Sequence, residues 1–210
     1  MRRPPAHIDR RALLAAGLAL PGAAIAAKLA PPDANVNSAA IHWPIGPARE
    51  MHGYMAIPAR AQGRQPAVLV IGGRDTPDTF TRQIVRATAQ AGFVACTANA
   101  AVIMADTIID DMRATARWLG EGRYGTGRVG AVGLDGGVDA AAALAASGAL
   151  SGATTFGKAP APAPGVPILS FGREGSGWRM LTGPAAEATF EGDWAAAWAR
   201  AMAYLRERLT

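Results

Sequence analysis

The sequence predicts an α/β fold in which a mostly parallel, doubly wound sheet lies between layers of helices. Short apolar runs typical of strands alternate along the chain with segments whose apolar residues recur at helical spacing. This alternation is typical of parallel strands joined by helical crossovers. The chain has 210 residues, half of them hydrophobic and 18% charged, which is enough for one domain with a full core.

The strands and helices can be assigned in order along the chain. Strands at 36–43 and 51–57 are expected to form an antiparallel start, because Pro44 begins a turn and Pro58 ends the second strand. The later strands are predicted at 67–71, 93–97, 128–132, 153–156, 166–171 and 178–181. The helices are predicted at 79–91, 106–119, 138–147 and from about 193 to the end. Ligands of such a sheet are expected at the carboxyl ends of its parallel strands.

The N-terminal segment has the pattern of an export signal rather than of the domain. Four arginines within the first eleven residues precede an apolar stretch at 12–27, and 24–26 forms a small-residue cleavage site. Arg10 and Arg11 resemble the pair of a twin-arginine signal; an amphipathic helix is the alternative interpretation. We therefore expect a signal at 1–26, a tether at 27–35, a single domain at 36–210 and a periplasmic or secreted product.

Charge and cysteine content exclude several classes of function. Four of the 21 basic and one of the 16 acidic residues lie in the first 26, so the mature chain keeps 17 and 15, a net charge of +2. We expect no nucleic-acid partner and no membrane span in the mature chain, since no apolar run is long enough. The one cysteine, Cys96, lies in a strand-like apolar run and is expected to be buried. Neither a cofactor nor a metal site is expected from the residue spacing.

The segment Gly133-Leu134-Asp135-Gly136-Gly137 stands between a strand-like run and an alanine-rich helix. Strand, Gly-x-nucleophile-x-Gly and helix is the nucleophile elbow of α/β-hydrolases, where the glycines make room for a very tight turn. The pattern therefore predicts an α/β-hydrolase-like three-layer sandwich. Asp135 occupies the central position, where serine or cysteine is usual.

Four stretches extend this pattern over residues 36–209: PAVLVIGGRDTPDTFTRQIVRATAQAGFVACTA, DDMRATARWLGEGRYGTGRVGAVGLDGG, VPILSFGRE and AWARAMAYLRERL. In order and spacing they resemble the strands, oxyanion loop, elbow and final helix of the dienelactone hydrolase family of α/β-hydrolases. The chain is shorter than is usual in that family after Phe171, where a helix normally precedes the last strand.

The resemblance implies positions for the functional residues. The nucleophile position falls on Asp135, and the acid position falls near Gly175, with Glu174 beside it. The histidine position falls around 187–190, where the chain has Glu187 and no histidine. The remaining candidate ligand-binding residues are those of the oxyanion loop and the residue after the nucleophile: Gly72, Gly73, Arg74 and Gly136.

Only three histidines occur in the chain, and none matches the catalytic position of the family. His7 lies in the predicted signal, while His42 and His52 lie on the first two strands, which the family places away from the elbow. Ser-His-Asp chemistry needs a base that takes and returns the proton of the nucleophile. The sequence therefore predicts a degenerate triad and a protein that is non-catalytic or binds a small acid or lactone.

Two other interpretations of Asp135 stay open at the level of sequence. Asp135 could be the nucleophile of an active hydrolase that acts on an ester or lactone, or on a halide or epoxide through a covalent ester, with Glu174 or Glu187 as base. It could also be a plain helix N-cap, for which aspartate is among the preferred residues. A nucleotide-binding glycine loop is disfavoured, because the spacing departs from Gly-x-Gly-x-x-Gly.

Overall fold

A computed structural model of the chain describes residues 35–73, 78–99, 107–157, 165–182 and 191–210. The predicted export signal lies outside the described residues, as do the candidate site residues Arg74 and Glu187. None of the helices in the described ranges is long and apolar enough to cross a bilayer.

The described strands form one nine-stranded sheet in the order β1-β2-β4-β3-β5-β6-β7-β8-β9. The five central strands, from β4 to β7 in that order, are parallel, and β1 and β2 are antiparallel as the sequence predicts. The strand bounds are β1 Val36–Gly46, β2 Arg49–Pro58, β3 Gln65–Ile71, β4 Val94–Ala98, β5 Gly125–Leu134, β6 Gly152–Phe156, β7 Ile168–Glu174, β8 Gly177–Thr182 and β9 Glu191–Gly192.

Within the described ranges, four helices cover the two faces of this sheet: α1 Thr79–Gln90, α2 Ile108–Glu121, α3 Val138–Ala146 and α4 Trp194–Leu209. Aspartate side chains begin two of them, since Asp78 accepts a hydrogen bond from the Thr81 amide at 2.6 Å and Asp193 from the Ala196 amide at 2.9 Å. Such caps satisfy amide donors that the first helical turn leaves unpaired. The predicted start of the last helix at Asp193 is confirmed.

Two apolar cores lie on opposite faces of the sheet. One is formed by α1 and α4 with side chains such as Val70, Leu134 and Phe156 from the strands. The other is formed by α2 and α3 with strand side chains such as Leu69 and Ala131. Adjacent strand residues supply opposite cores because side chains alternate between the faces. The predicted α/β three-layer sandwich is confirmed.

The end of the sheet after β7 departs from simple parallel winding. Only Gly175 and Ser176 separate β7 from β8, and Glu174 pairs directly with Gly177 in an antiparallel hairpin. A parallel return requires a crossover of a dozen or more residues, so two residues permit only this antiparallel pairing. Gly175 has a φ of +57°, as type II′ hairpin turns require of their first central residue.

Candidate functional site at the strand-to-helix corner

The strand-to-helix corner at Asp135 has the geometry of a nucleophile elbow. β5 ends at Leu134, residues Asp135–Gly137 form one 3-10 turn, and α3 starts at once with Val138. Asp135 has a φ of +44°, in the left-handed region that costs an L-residue on the order of 1–2 kcal/mol. A strained residue at a strand-to-helix turn is how this fold presents a reactive side chain at the edge of its sheet.

Glycines make the corner possible because neighbouring backbone comes very close. A Cβ on Gly137 would lie 2.1 Å from the carbonyl oxygen of Ile71, a distance that no real side chain tolerates. A Cβ on Gly133 would lie 2.9 Å from the Cβ of Ala141 on α3. The two flanking glycines therefore let the elbow press against the end of β3 and against its own helix.

Three of the predicted binding residues meet Asp135 at this corner. Gly72 and Gly73 follow β3, and a Cβ on Gly136 would lie 3.2 Å from the Cα of Gly73. In α/β-hydrolases, the amide after the nucleophile and one from the β3 loop bind the oxyanion. The fold thus brings together the backbone segments that would supply both amides.

Gly157 also belongs to this corner, although the sequence analysis did not count it as a site residue. It follows β6 with a φ of +142°, and a Cβ built on it would lie 3.4 Å from Oδ1 of Asp135. The sequence signal was a glycine directly after a parallel strand, at the edge where ligands of such sheets bind.

The Asp135 side chain is exposed, and its carboxylate accepts no hydrogen bond from any described residue. The N-cap interpretation therefore finds no support within the described part of the chain. The carboxylate stands at the N-terminal end of α3, where the helix dipole favours negative charge. The arrangement offers a solvent-facing anion beside backbone amides.

Glu174, the candidate acid or base, lies on the hairpin rather than at the level of the elbow. Phe171 of β7 pairs with Phe156 of β6, so Glu174 extends three residues beyond the end of β6. Two strand spacings also separate β7 from β5, which amounts to roughly 10 Å before that extension is counted. The Glu174 carboxylate forms an ion pair with Arg179 across the hairpin, with 3.1 Å between Oε2 and Nε.

His42 and His52 are exposed on β1 and β2. In the sheet order, β4 and β3 lie between β2 and β5. Three strand spacings, roughly 14 Å, therefore separate the strand of His52 from the strand that leads to Asp135. An imidazole on β1 or β2 does not span that distance, so neither histidine reaches the elbow.

Cys96 on β4 is buried with no exposed surface, as the sequence predicts. Burial raises the pKa of its thiol far above the ordinary value. A protonated, inaccessible thiol is not a nucleophile, so Cys96 does not substitute for the residue missing from the elbow. Within the described ranges, no group of three or more His, Cys, Asp or Glu side chains is arranged to hold a metal ion.

Several solved structures share this architecture. A dienelactone hydrolase-like promiscuous phosphotriesterase from metagenomic libraries is 19% identical with a TM-score of 0.54, over 65% of this chain and 67% of that chain. A putative dienelactone hydrolase from Klebsiella pneumoniae is 18% identical with a TM-score of 0.51, over 63% and 65%. A thermostable esterase from Pseudomonas putida is 17% identical with a TM-score of 0.51, over 68% and 51%.

The likeness covers about two thirds or less of each of these three proteins. No family model matches the chain, and no curated protein matches it. At such low identity the likeness establishes the fold, and chemistry has to be argued from the site. Sheet order, elbow and structural neighbours together identify the chain as a protein with the α/β-hydrolase fold, in the form found in dienelactone hydrolase-like proteins.

Proposed function

We propose that this protein is a divergent, non-catalytic relative of dienelactone hydrolases that binds a small acid or lactone at the Asp135 corner. The observation that carries the proposal is the replacement of the nucleophile by a carboxylate in a corner that is otherwise kept. Asp135 has the left-handed backbone of an elbow and lies beside Gly73, Gly136 and Gly157. A corner with its shape intact and its reactive atom changed is suited to binding.

The proton chemistry supports the same proposal. Acyl transfer needs a base that receives the proton of the nucleophile and returns it to the leaving group. The chain has no histidine after His52, and both His42 and His52 lie three or more strands from the elbow. Without a base the triad mechanism falls to the residual rate that binding and the oxyanion amides provide.

The proposed ligand follows from the groups at the corner. The Gly73 and Gly136 backbone is placed to donate to a carbonyl or carboxylate oxygen, as in the oxyanion site of this fold. Arg74, which follows in sequence, supplies a cation for an acid group. Asp135 can accept from a hydroxyl or a protonated ligand group. A small molecule that combines a carbonyl with such a donor, a lactone or hydroxy acid, fits this set.

Thermal unfolding of the purified protein tests the binding proposal. Thermal unfolding in the presence of a panel of small lactones and acids should reveal a stabilising ligand. Its effect should shrink in Asp135→Leu and Arg74→Gln but not in Arg113→Gln, a control on α2. A panel that stabilises none of the proteins, or all of them equally, would contradict the binding proposal.

A second candidate function uses Asp135 as the nucleophile toward an alkyl halide or epoxide, with formation of a covalent ester. It is favoured by the exposed carboxylate and the strained backbone at position 135. Glu187 would then have to activate the water that hydrolyses the ester. Turnover of such a substrate that disappears in Asp135→Asn would establish this candidate and refute the non-catalytic one.

Export belongs to the same proposal and rests on the sequence of residues 1–26. We propose that a twin-arginine signal delivers the folded protein to the periplasm or beyond the cell. Fusion of residues 1–35 to a reporter that is active only after export tests this. Export should be lost when Arg10 and Arg11 are both changed to lysine, and unchanged export would refute the twin-arginine route.

A further inference from the structure

Two histidines face each other on the outer pair of strands. His42 of β1 and His52 of β2 are directly opposed in the antiparallel register, and their ring centroids lie 6.0 Å apart at an interplanar angle of 43°. Directly opposed side chains project from the same face with Cβ atoms about 5 Å apart. Both rings are exposed and lie side by side on one surface.

The backbone that carries this pair is held firmly from the opposite face. The next pair toward the turn between β1 and β2 is Trp43 and Met51. Both side chains are buried, each with 1% of its surface exposed. The Trp43 indole donates to Oγ1 of Thr115 on α2 at 3.2 Å, and the Asn99 amide donates to the His52 carbonyl at 2.7 Å. Because the strands are fixed, the two imidazoles can adjust mainly by rotating their side chains.

Among the residues that the structure describes, the ring nitrogens have no competing partners. Within the described part of the chain, no hydrogen bond or ion pair involves either imidazole, and the two rings contact one another. A neutral imidazole has one nitrogen lone pair free to bind a metal. The exposed rings contribute nothing to either apolar core, so core packing does not account for their position.

The separation suits one metal ion between the rings. Imidazole nitrogens bind Zn²⁺ at 2.0–2.1 Å, which places two ring centroids roughly 5 Å apart in tetrahedral geometry and about 6.4 Å apart in linear geometry. The observed 6.0 Å lies inside this range. Small rotations of the two rings would therefore suffice, without movement of the strands.

We propose that His42 and His52 form a two-ligand site for a divalent transition-metal ion, with Zn²⁺ and Cu²⁺ as the cations that imidazole pairs prefer. Water completes the coordination sphere. Glu50 lies two residues before His52 and so on the same face of β2. The described residues hold no preassembled third ligand, so the site is a surface clip, weaker than a four-ligand structural zinc site.

The chain allows a clean test, because His7 is the only other histidine and Cys96 is buried. Calorimetric titration with Zn²⁺ is performed on a His7→Ala parent of the full chain. The parent should bind one equivalent. His42→Ala and His52→Ala should each lower the affinity about tenfold or more, whereas His42→Ala/His52→Ala should abolish the saturable heat.

Two further measurements test whether both imidazoles bind the metal and whether the variants stay folded. With Cu²⁺, the electron paramagnetic resonance spectrum of the parent should show two equivalent nitrogen ligands, and each single variant should show one. Unfolding midpoints in EDTA should stay the same in all variants, because both rings are exposed. A parent that binds no Zn²⁺ saturably, or single variants that bind as tightly as the parent, would overturn the proposal.

Discussion

Oδ1 of Asp135 lies beside Gly157, at 3.4 Å from the point that a Cβ on this glycine would occupy. Asp135 follows β5 and Gly157 follows β6, so the ends of two neighbouring parallel strands meet at this point. Both residues have positive φ, +44° and +142°. The corner is therefore shaped by unusual backbone on both sides. A Cβ at position 157 would touch the carboxylate only at van der Waals distance, so it is the φ of +142°, which L-residues rarely adopt, that favours glycine there.

The elbow should not tolerate a methyl group at position 137. A Cβ there would lie 2.1 Å from the Ile71 carbonyl oxygen, so Gly137→Ala should lower the free energy of unfolding by about 3 kcal/mol. Gly46→Ala is the control, since nothing lies within 4 Å of its added carbon, and its effect should stay within about 0.5 kcal/mol. Urea denaturation measures both, and equal effects would contradict the close approach at the elbow.

Restoring the usual nucleophile should not restore esterase activity. In Asp135→Ser the hydroxyl has no histidine to take its proton, because His42 and His52 lie several strands away. Hydrolysis of p-nitrophenyl acetate by this variant should remain within about tenfold of the wild type. An increase in the hydrolysis rate of more than about 100-fold would show that a base acts at the corner, and it would contradict the non-catalytic proposal.

The ion pair between Arg49 and Asp111 should be sensitive to which partner is removed. Nη2 of Arg49 lies 2.7 Å from Oδ2 of Asp111, and the two side chains are 51% and 3% exposed. Arg49→Met leaves a buried carboxylate with the Thr107 hydroxyl at 3.0 Å, and should cost about 2–3 kcal/mol. Asp111→Asn should cost less, because the arginine that it leaves is half exposed.

The control for this prediction is the exposed ion pair between Arg113 and Asp110 on the same helix. Arg113→Met should change stability by less than about 0.5 kcal/mol, since solvent screens such pairs. Guanidinium or urea unfolding ranks the three variants. The interpretation fails if Asp111→Asn proves more damaging than Arg49→Met.

The Cys96 thiol should be inert in the folded protein. Burial raises its pKa above the ordinary 9.0, so a disulfide reagent at pH 8 should label it only after denaturation. The same shift lowers stability in alkali. Above about pH 9 the unfolded thiol loses its proton while the folded one keeps it, which costs up to about 1.4 kcal/mol per pH unit. Subtracting the pH dependence of the unfolding free energy of Cys96→Ala from that of the wild type isolates this slope. Rapid labelling of the native protein would contradict the burial of the thiol.

Phe156 should anchor the core beneath the corner. The centroid of its ring lies 4.6 Å from that of the Trp194 ring, 5.2 Å from that of Phe171 and 5.6 Å from that of Trp178. Phe156→Ala should cost about 3–5 kcal/mol and weaken the near-ultraviolet circular dichroism of the tryptophans. Leu181→Ala, at a side chain that is 37% exposed, should have little effect. Similar losses in both variants would argue against the aromatic cluster.

Local patterns predicted the elements closely because each depends on nearby residues. The helix predicted at 79–91 is Thr79–Gln90, and the strand predicted at 153–156 is Gly152–Phe156. The elbow was also predictable, since glycine spacing between a strand and a helix is a local signal. The direction of β8 was not deduced, although even the six residues between the predicted strands at 166–171 and 178–181 are too few for a parallel crossover. Nor did the sequence indicate that Gly157 lies against Asp135. The two residues follow different strands, β5 and β6, and they meet only because those strands are neighbours in the sheet.

The sequence by itself determined the alternation of strands and helices, the aspartate at the elbow and the absence of histidine from the expected catalytic position. Only the tertiary structure decided which residues lie next to each other in space. It places Asp135 beside three glycines, Glu174 beside Arg179, and His42 opposite His52. Periodicity and turn residues act over a few positions, so they can be read from the chain. Register and strand order depend on the packing of distant segments, and these set the distances on which chemistry depends.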